Sequence, residues 1–227
     1  MTAELIPVLV LRDLAAASAL LTGVFGFTQR SQGRLALGSQ EIALEAVPTG
    51  ATGHGTIDHL ALAVDDVPAA LAEALARGGR IDGAVTPDGP RFIPEFWSRG
   101  AAFVFLEGPE GARMELCARP GDPRPGLPGH DHIGIACADF AAVRAFFLAQ
   151  GFTELAAHRL RDASGETPVC FLALGQSVVE IYSPPDRAPA APPQTAVPHW
   201  RRLIVEGAPG FRTVEGPEGL LLERGQR

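Results

Sequence analysis

The sequence predicts an α+β protein built from repeated βαβββ modules, and three observations point to it. The stretch TIDHLALAVDDVPAALAEALARGG, from Thr56, returns from Gly129 as GHDHIGIACADFAAVRAFFLAQGF. Each copy runs in one order: apolar strand, Asp, Ala-rich helical period, Gly stop. The strands that follow are separated by Gly turns, and the copies by Pro/Gly-rich connections. A repeat of this kind sets the architecture before any single element is placed.

Four related segments cover the chain: Leu5–Val47, Ile57–Cys117, Asp131–Tyr182 and a shorter one, Val197–Arg224. As modules they are expected over 1–52, 53–120, 127–186 and 196–227. The first three open on an apolar strand, PVLVL, HLALAV or HIGIAC. Asp13, Asp66 or Asp139 then stands at the helix N-cap, where a carboxylate accepts from the free amides of the first turn. In VPAALAEALARGG, Pro68 sits in the first turn and Gly78-Gly79 at the stop. Strands follow, as in AAFVFLEGPEGARMELC and VCFLALGQSVVEIYS; GPEG, with Pro second and Gly last, is a tight turn. The fourth segment repeats EGPEG in FRTVEGPEGLLLERG but lacks a helix of comparable length, so it reads as a truncated module. PTGATGHGT, RPGDPRPGLPG and PPDRAPAAPPQTAVP are expected as extended surface connections.

A chain of 227 residues has enough length for a substantial core. Its net charge of −7 argues against nucleic acid and anionic membranes as partners, because an acidic surface repels both. No apolar run reaches the roughly 18 residues that span a bilayer. The N-terminus, MTAELIPVLVLRDL, has neither a basic leader nor a small-residue cleavage site, so it does not read as a signal peptide. Cys117, Cys137 and Cys170 are odd in number, form no CxxC and sit in apolar runs. They read as buried small hydrophobes in a reducing, cytoplasmic setting.

The chemistry lies in residues that recur with the repeat. His59 stands seven residues before Asp66, and His132 seven before Asp139; the same count back from Asp13 gives Ile6. The last strands carry Glu45, Glu115, Glu180 and Glu223 in ALEAV, RMELC, VVEIY and LLERG. A carboxylate inside an apolar strand is costly unless paired, hydrogen-bonded or metal-bound. Strand faces alternate, so residues two away share its face. For Glu180 these are Val178 and Tyr182, which argues for an inward carboxylate; for Glu115 they are Arg113 and Cys117, a weaker case. One such His is more often structural than a ligand. Two His and two Glu at matched positions, converging if the copies pair, form a donor set suited to Zn, Fe, Mn, Ni or Co.

These features, with the DHLALAVDD and GHDHIGIACADF openings, resemble the vicinal oxygen chelate superfamily. It includes glyoxalase I, methylmalonyl-CoA epimerase, extradiol dioxygenases and the fosfomycin and bleomycin resistance proteins. The resemblance covers nearly the whole chain, most strongly Thr56 to Ser183, and the ligand spacing is similar to compact glyoxalase I enzymes. It implies modules pairing into curved mixed-sheet cups, the glyoxalase-like fold, around one divalent metal (Zn, Ni, Mn, Co or Fe). It implies His59, Glu115, His132 and Glu180 as ligands, a monomer or homodimer, and a small-molecule substrate. Compact glyoxalase I has two modules, whereas this chain has three and a half. Pairing the second with the third gathers all four donors; pairing the first with the second gathers Glu45, His59 and Glu115.

The activity implied is that of a glyoxalase-like lyase or isomerase. The metal would stabilise an enolate of a small oxygen-chelating carbonyl substrate, with Glu180 or Glu115 as the catalytic base. The segment TPDGPRFIPEFWSRGAAF is the candidate substrate wall: Arg91 or Arg99 to hold an anionic group, Phe96 and Trp97 to cover it. His130, at the strand's edge, is at best an outer partner of the site. The alternatives are a metal-free binding or resistance protein and an Fe(II) extradiol dioxygenase. For the latter, His199 is the one candidate first-strand histidine of the fourth segment.

Overall fold

The computed structural model describes residues 4–47, 50–121, 129–186, 196–207 and 212–225. Of the three Pro/Gly-rich connections, residues 48–49, 122–128 and 187–195 lie outside the described residues, while the middle of the first forms a short strand. The first segment forms β1 (Glu4–Leu11), α1 (Leu14–Gly23), β2 (Thr28–Ser31), β3 (Arg34–Leu37) and β4 (Gln40–Ala46), followed by a short β5 (Ala51–Gly53). The second forms β6 (Ile57–Ala63), α2 (Val67–Ala76), β7 (Arg91–Ile93), β8 (Ala101–Glu107) and β9 (Arg113–Ala118). The third forms β10 (Gly129–Ala136), α3 (Phe140–Ala149), β11 (Thr153–Asp162), β12 (Gly165–Leu174) and β13 (Ser177–Tyr182). Next come β14 (Ala196–Pro198), β15 (Trp200–Glu206), β16 (Arg212–Glu215) and β17 (Leu221–Arg224), with one 3-10 turn, Pro217–Gly219, and no α-helix among the described residues.

The local chemistry accounts for these elements. Asp13, Asp66 and Asp139 each accept from the backbone N–H three residues on, at 2.9, 2.7 and 2.9 Å, capping the three helices. Leu71 and Ala74 of α2 and Val143 and Phe147 of α3 pack into one large core between helices and sheet. β7 lies within the segment expected as a substrate wall. Three residues of it add to the edge of β8, pairing Arg91 with Phe103 and Ile93 with Ala101. So short a strand is held by its neighbour rather than by its own pattern.

Pairing produces two cups. In the first, β6 and β10 run antiparallel at the centre, with β9-β8-β7 on one side and β13-β12-β11 on the other. In the second, β1 and β15 run antiparallel, flanked by β4-β3-β2 and by β17-β16. The second and third segments therefore share one cup, and the first and fourth the other. The two join where Trp200 of β15 pairs with Ile57 of β6.

The repeated EGPEG turn locks the cups together. Glu110 and Glu218 both adopt φ of 54°, a left-handed conformation uncommon outside glycine. Glu110 accepts from the backbone N–H of Arg12 and Asp13, at the mouth of α1 in the other cup. Glu218 accepts in the same way from Ala138 and Asp139, at the mouth of α3. Removing either carboxylate takes a charged acceptor from two backbone N–H groups beside a helix start. Glu110→Ala and Glu218→Ala should each cost about 1–3 kcal/mol, read as a lower denaturant midpoint at unchanged slope.

Candidate metal centre

In the first cup each of the four central strands contributes one donor. Across the antiparallel pair, Gly134 faces His59 and Ala61 faces His132. The parallel outer strands place Glu115 beside Ala61 and Glu180 beside Gly134. All four residues turn their side chains to the cup's inner face and are buried, none more than 8% exposed as a whole residue. His59 Nε2 lies 3.2 Å from Glu115 Oε2 and 3.9 Å from Glu180 Oε2. His132 Nε2 mirrors it, at 3.2 Å from Glu180 and 3.9 Å from Glu115. The two Nε2 atoms are 3.2 Å apart.

Each imidazole is held from behind by the carboxylate next to it in sequence. Asp58 Oδ2 is 3.1 Å from His59 Nδ1, and Asp131 Oδ1 is 2.8 Å from His132 Nδ1. Arg113 and Arg119 anchor these carboxylates at 2.8 and 2.5 Å, and the Tyr182 hydroxyl donates to Asp58 at 3.0 Å. An Asp that fixes Nδ1 leaves Nε2 aimed at the centre, as outer partners of ligating histidines do. Phe105 and Phe171 lie edge-on against His59 and His132.

Burial opposes charging of both imidazoles, but the carboxylates outweigh it. The Asp58 and Glu115 contacts raise His59 to about 9. Glu180 and Asp131 raise His132 to about 10. Burial also works against ionised Asp58, yet His59 and Arg113 hold its carboxyl well below the usual range. Without an ion, the centre therefore balances its carboxylates with two imidazolium charges whose Nε2 atoms face each other at 3.2 Å. One divalent cation carries the same charge and bonds all four donors, and ligands sharing an ion at about 2.0–2.2 Å have separations like these. The residues fit such an ion.

A sign follows for pH. Both imidazoles are raised above their ordinary 6.5, so their contribution to ion-free stability is complete below that value and lost as pH rises through about 9 and 10. The melting temperature of ion-free protein should fall from pH 7 to 10. Affinity for a divalent ion should climb over the same range, because the ion displaces those protons. An affinity flat from pH 7 to 9 would mean that the imidazoles bind no proton there.

The second cup shows what replaces this centre. By strand pairing, Ile6 stands where His59 does, Arg202 where His132 does and Glu223 where Glu180 does. The place of Glu115 is taken by Ala43, not Glu45; Glu45 lies two residues further along the same face. The equivalence read from the sequence is corrected by that offset. Arg202 forms a forked ion pair with Glu45 and reaches Glu223 at 3.0 Å. A fixed guanidinium thus sits among the carboxylates. His199 does not occupy the first-strand position; it lies just before β15, edge-on to His54.

The candidate wall divides. Phe96 is buried in the first cup, and both Phe96 and Trp97 pack against Phe171. Trp97 has φ of 53° and carries the Arg119 guanidinium 3.8 Å over its ring. Arg91 and Arg99 are exposed and do not line the cavity. His130 packs toward Phe27 of the first segment, away from the centre. Sequence reasoning missed Asp58, Asp131, Arg113, Arg119 and Gly134. The Asp-His pair in IDHL and HDHI was the available signal, since it too recurs in both copies.

The family model described as the Glyoxalase/Bleomycin resistance protein/Dioxygenase superfamily matches residues 6–116. No curated protein matches the chain. Among solved structures, glyoxalase I from Zea mays is similar at 14% identity and a TM-score of 0.67, covering 98% of this chain and 92% of that one. A putative dioxygenase from Bacillus subtilis is similar at 12% identity and a TM-score of 0.58, covering 96% of this chain and 83% of that one. Such identities speak to fold, and the curved α+β cups are that fold. The matched residues 6–116 resemble the Glyoxalase/Bleomycin resistance protein/Dioxygenase superfamily, and the chain as a whole has the glyoxalase-like fold.

Proposed function

We propose that the chain is a divalent-metal-dependent enzyme of glyoxalase-like type, moving a proton next to a carbonyl in a small substrate with two adjacent oxygens. The observation that carries this reading is the facing pair of Nε2 atoms, each backed by an Asp and flanked by a Glu. His59, His132, Glu115 and Glu180 would hold the ion, which when bound supplies Lewis acidity to the substrate's oxygens. Glu180 or Glu115 takes the proton: each has a carboxylate oxygen in the centre, in a cup with aromatic walls. Asp58 and Asp131 keep both imidazoles in one orientation throughout.

The reaction is tested by solvent exchange. Metal-loaded protein in D2O should place deuterium on the CH2 of 2-hydroxyacetophenone faster than the same protein treated with chelator. Glu115→Gln or Glu180→Gln, loaded with the same ion, should lose that exchange by about 10²–10⁴-fold, the usual range for a general base. Exchange equal in the loaded, chelated and Gln-substituted proteins would remove the enzymatic reading and favour a binding protein.

A further inference from the structure

We infer that Cys117 is a further metal donor of the first cup, and that its sulfur makes the centre select thiophilic ions, Zn²⁺, Co²⁺ or Cd²⁺, over Mn²⁺ or Mg²⁺. This rests on the metal-centre reading and narrows it to a class of ion. In sequence Cys117 reads as a small buried hydrophobe like Cys137 and Cys170, but the fold separates them. Cys137 and Cys170 lie in the large core between helices and sheet. Cys117 lines the first cup's cavity with Glu115 and His132. Alternation on β9 places it there: Met114, Leu116 and Ala118 enter the core, so Glu115 and Cys117 share the opposite face. The Cys117 Sγ, a Glu115 carboxylate oxygen and a His132 ring nitrogen lie within 4.8 Å of one another, all in buried residues. Bonds of about 2.3 Å to sulfur and 2.0–2.2 Å to nitrogen or oxygen allow donors on one ion to stand up to roughly 4.4 Å apart, close to that span.

The strand register gives this position its reach. Cys117 stands level with Ala63 of β6, one pleat beyond Glu115. Its counterpart in β13 is Tyr182, level with Ala136 of β10. The Tyr182 ring lies 6.1 Å from that of His59, and its hydroxyl meets Asp58 behind that imidazole. In the second cup the counterpart is Glu45, level with Val10 of β1. Glu45 pairs with Arg202, which stands in the place of His132. Each of these side chains crosses to the central strand of the partner segment. Where the tyrosine meets a carboxylate and the glutamate a guanidinium, the thiol meets an imidazole and a carboxylate, donors of the kind that hold zinc. As the ion binds, the S–H bond gives way to an S–metal bond and the proton leaves to solvent, with no change of oxidation state. Sulfur is a soft donor, so it adds most to thiophilic ions and least to Mn²⁺ or Mg²⁺.

The test is the absorption spectrum of chelator-treated protein reloaded with Co²⁺ under nitrogen. The expected result is a sulfur-to-cobalt charge-transfer band in the near ultraviolet, beside the visible d–d bands of the bound ion. Cys117→Ser, which retains Cys137 and Cys170, should keep the visible bands and lose the near-ultraviolet one. Competition against a fluorescent chelator should show this variant binding Cd²⁺ at least about tenfold more weakly than the parent, with Mn²⁺ affinity changed by less than about threefold. Visible bands without the charge-transfer band in the parent, or a charge-transfer band retained by the variant, would overturn the inference and leave the four-donor centre standing. No cobalt bands of either kind in the parent would overturn the metal-centre reading, and the inference with it. The parent's spectrum decides the matter even if Cys117→Ser fails to fold.

Discussion

His59→Ala and His132→Ala should each lose tight binding of the divalent ion while keeping the fold. Removing an outer partner of a metal ligand typically costs 10–100-fold in affinity, and removing the ligand itself should cost more. The fold survives because the carboxylates behind each ring have other partners. Asp58 keeps Arg113 and the Tyr182 hydroxyl, and Asp131 keeps Arg119. In ion-free protein each substitution also removes an imidazolium that neighbouring carboxylates hold, so the melting temperature should fall while unfolding stays cooperative. Competition against a fluorescent chelator reads the affinity, and circular dichroism reads the fold. Loss of cooperative unfolding in both variants would show that the pair holds the cup together instead.

Gly134→Ala should be nearly as damaging to ion binding as losing His59. Gly134 lies opposite His59 in the antiparallel pair, and a Cβ there would fall 2.0–2.3 Å from the imidazole atoms. No real contact is that short, and the ring cannot yield: Asp58 fixes Nδ1 and Phe105 lies edge-on at 4.9 Å. One methyl group would therefore displace the His59 ring while all four candidate donors remain in the sequence. Overpacking of this kind costs typically 1–3 kcal/mol, so the variant should fold with a lower melting temperature. Gly55→Ala makes a comparison, because the nearest atoms its Cβ would meet belong to Pro198, outside the centre. Ion affinity in Gly134→Ala equal to the parent's would mean that His59 is not held where the ion needs it.

The repeat made the architecture legible because its signals are local. An Asp before a helical period and a Gly after it need no tertiary information, and all three caps form as such residues must. Glu180 was legible for a related reason: its strand face is otherwise apolar, so an inward carboxylate had to be satisfied. Arg113 shows the limit. As the residue two before Glu115 it weakened the case for an inward Glu115, yet it faces inward because Asp58 of β6 and Asp82 of the connection after α2 offset its charge. That compensation depends on pairing between β6 and β9, which alternation within one strand cannot supply. The same limit governs Glu45. Its resemblance to Glu115 was one of local pattern, and the two-residue offset appears only in the register of β4 against β1. Gly134 carried no signal in sequence, since its reason lies across the strand pair in His59.

The central claim is one ion, in one cup. Elemental analysis of protein purified without an affinity tag, beside a His59→Ala/His132→Ala double variant and a Glu45→Gln variant, tests it directly. One equivalent of a divalent metal in the parent and in Glu45→Gln, with none in the double variant, is the predicted result; the second cup adds nothing because Arg202 already stands among its carboxylates. No metal in the parent after addition of Zn²⁺, Ni²⁺, Mn²⁺ or Fe²⁺, or an equivalent retained by the double variant, would contradict it.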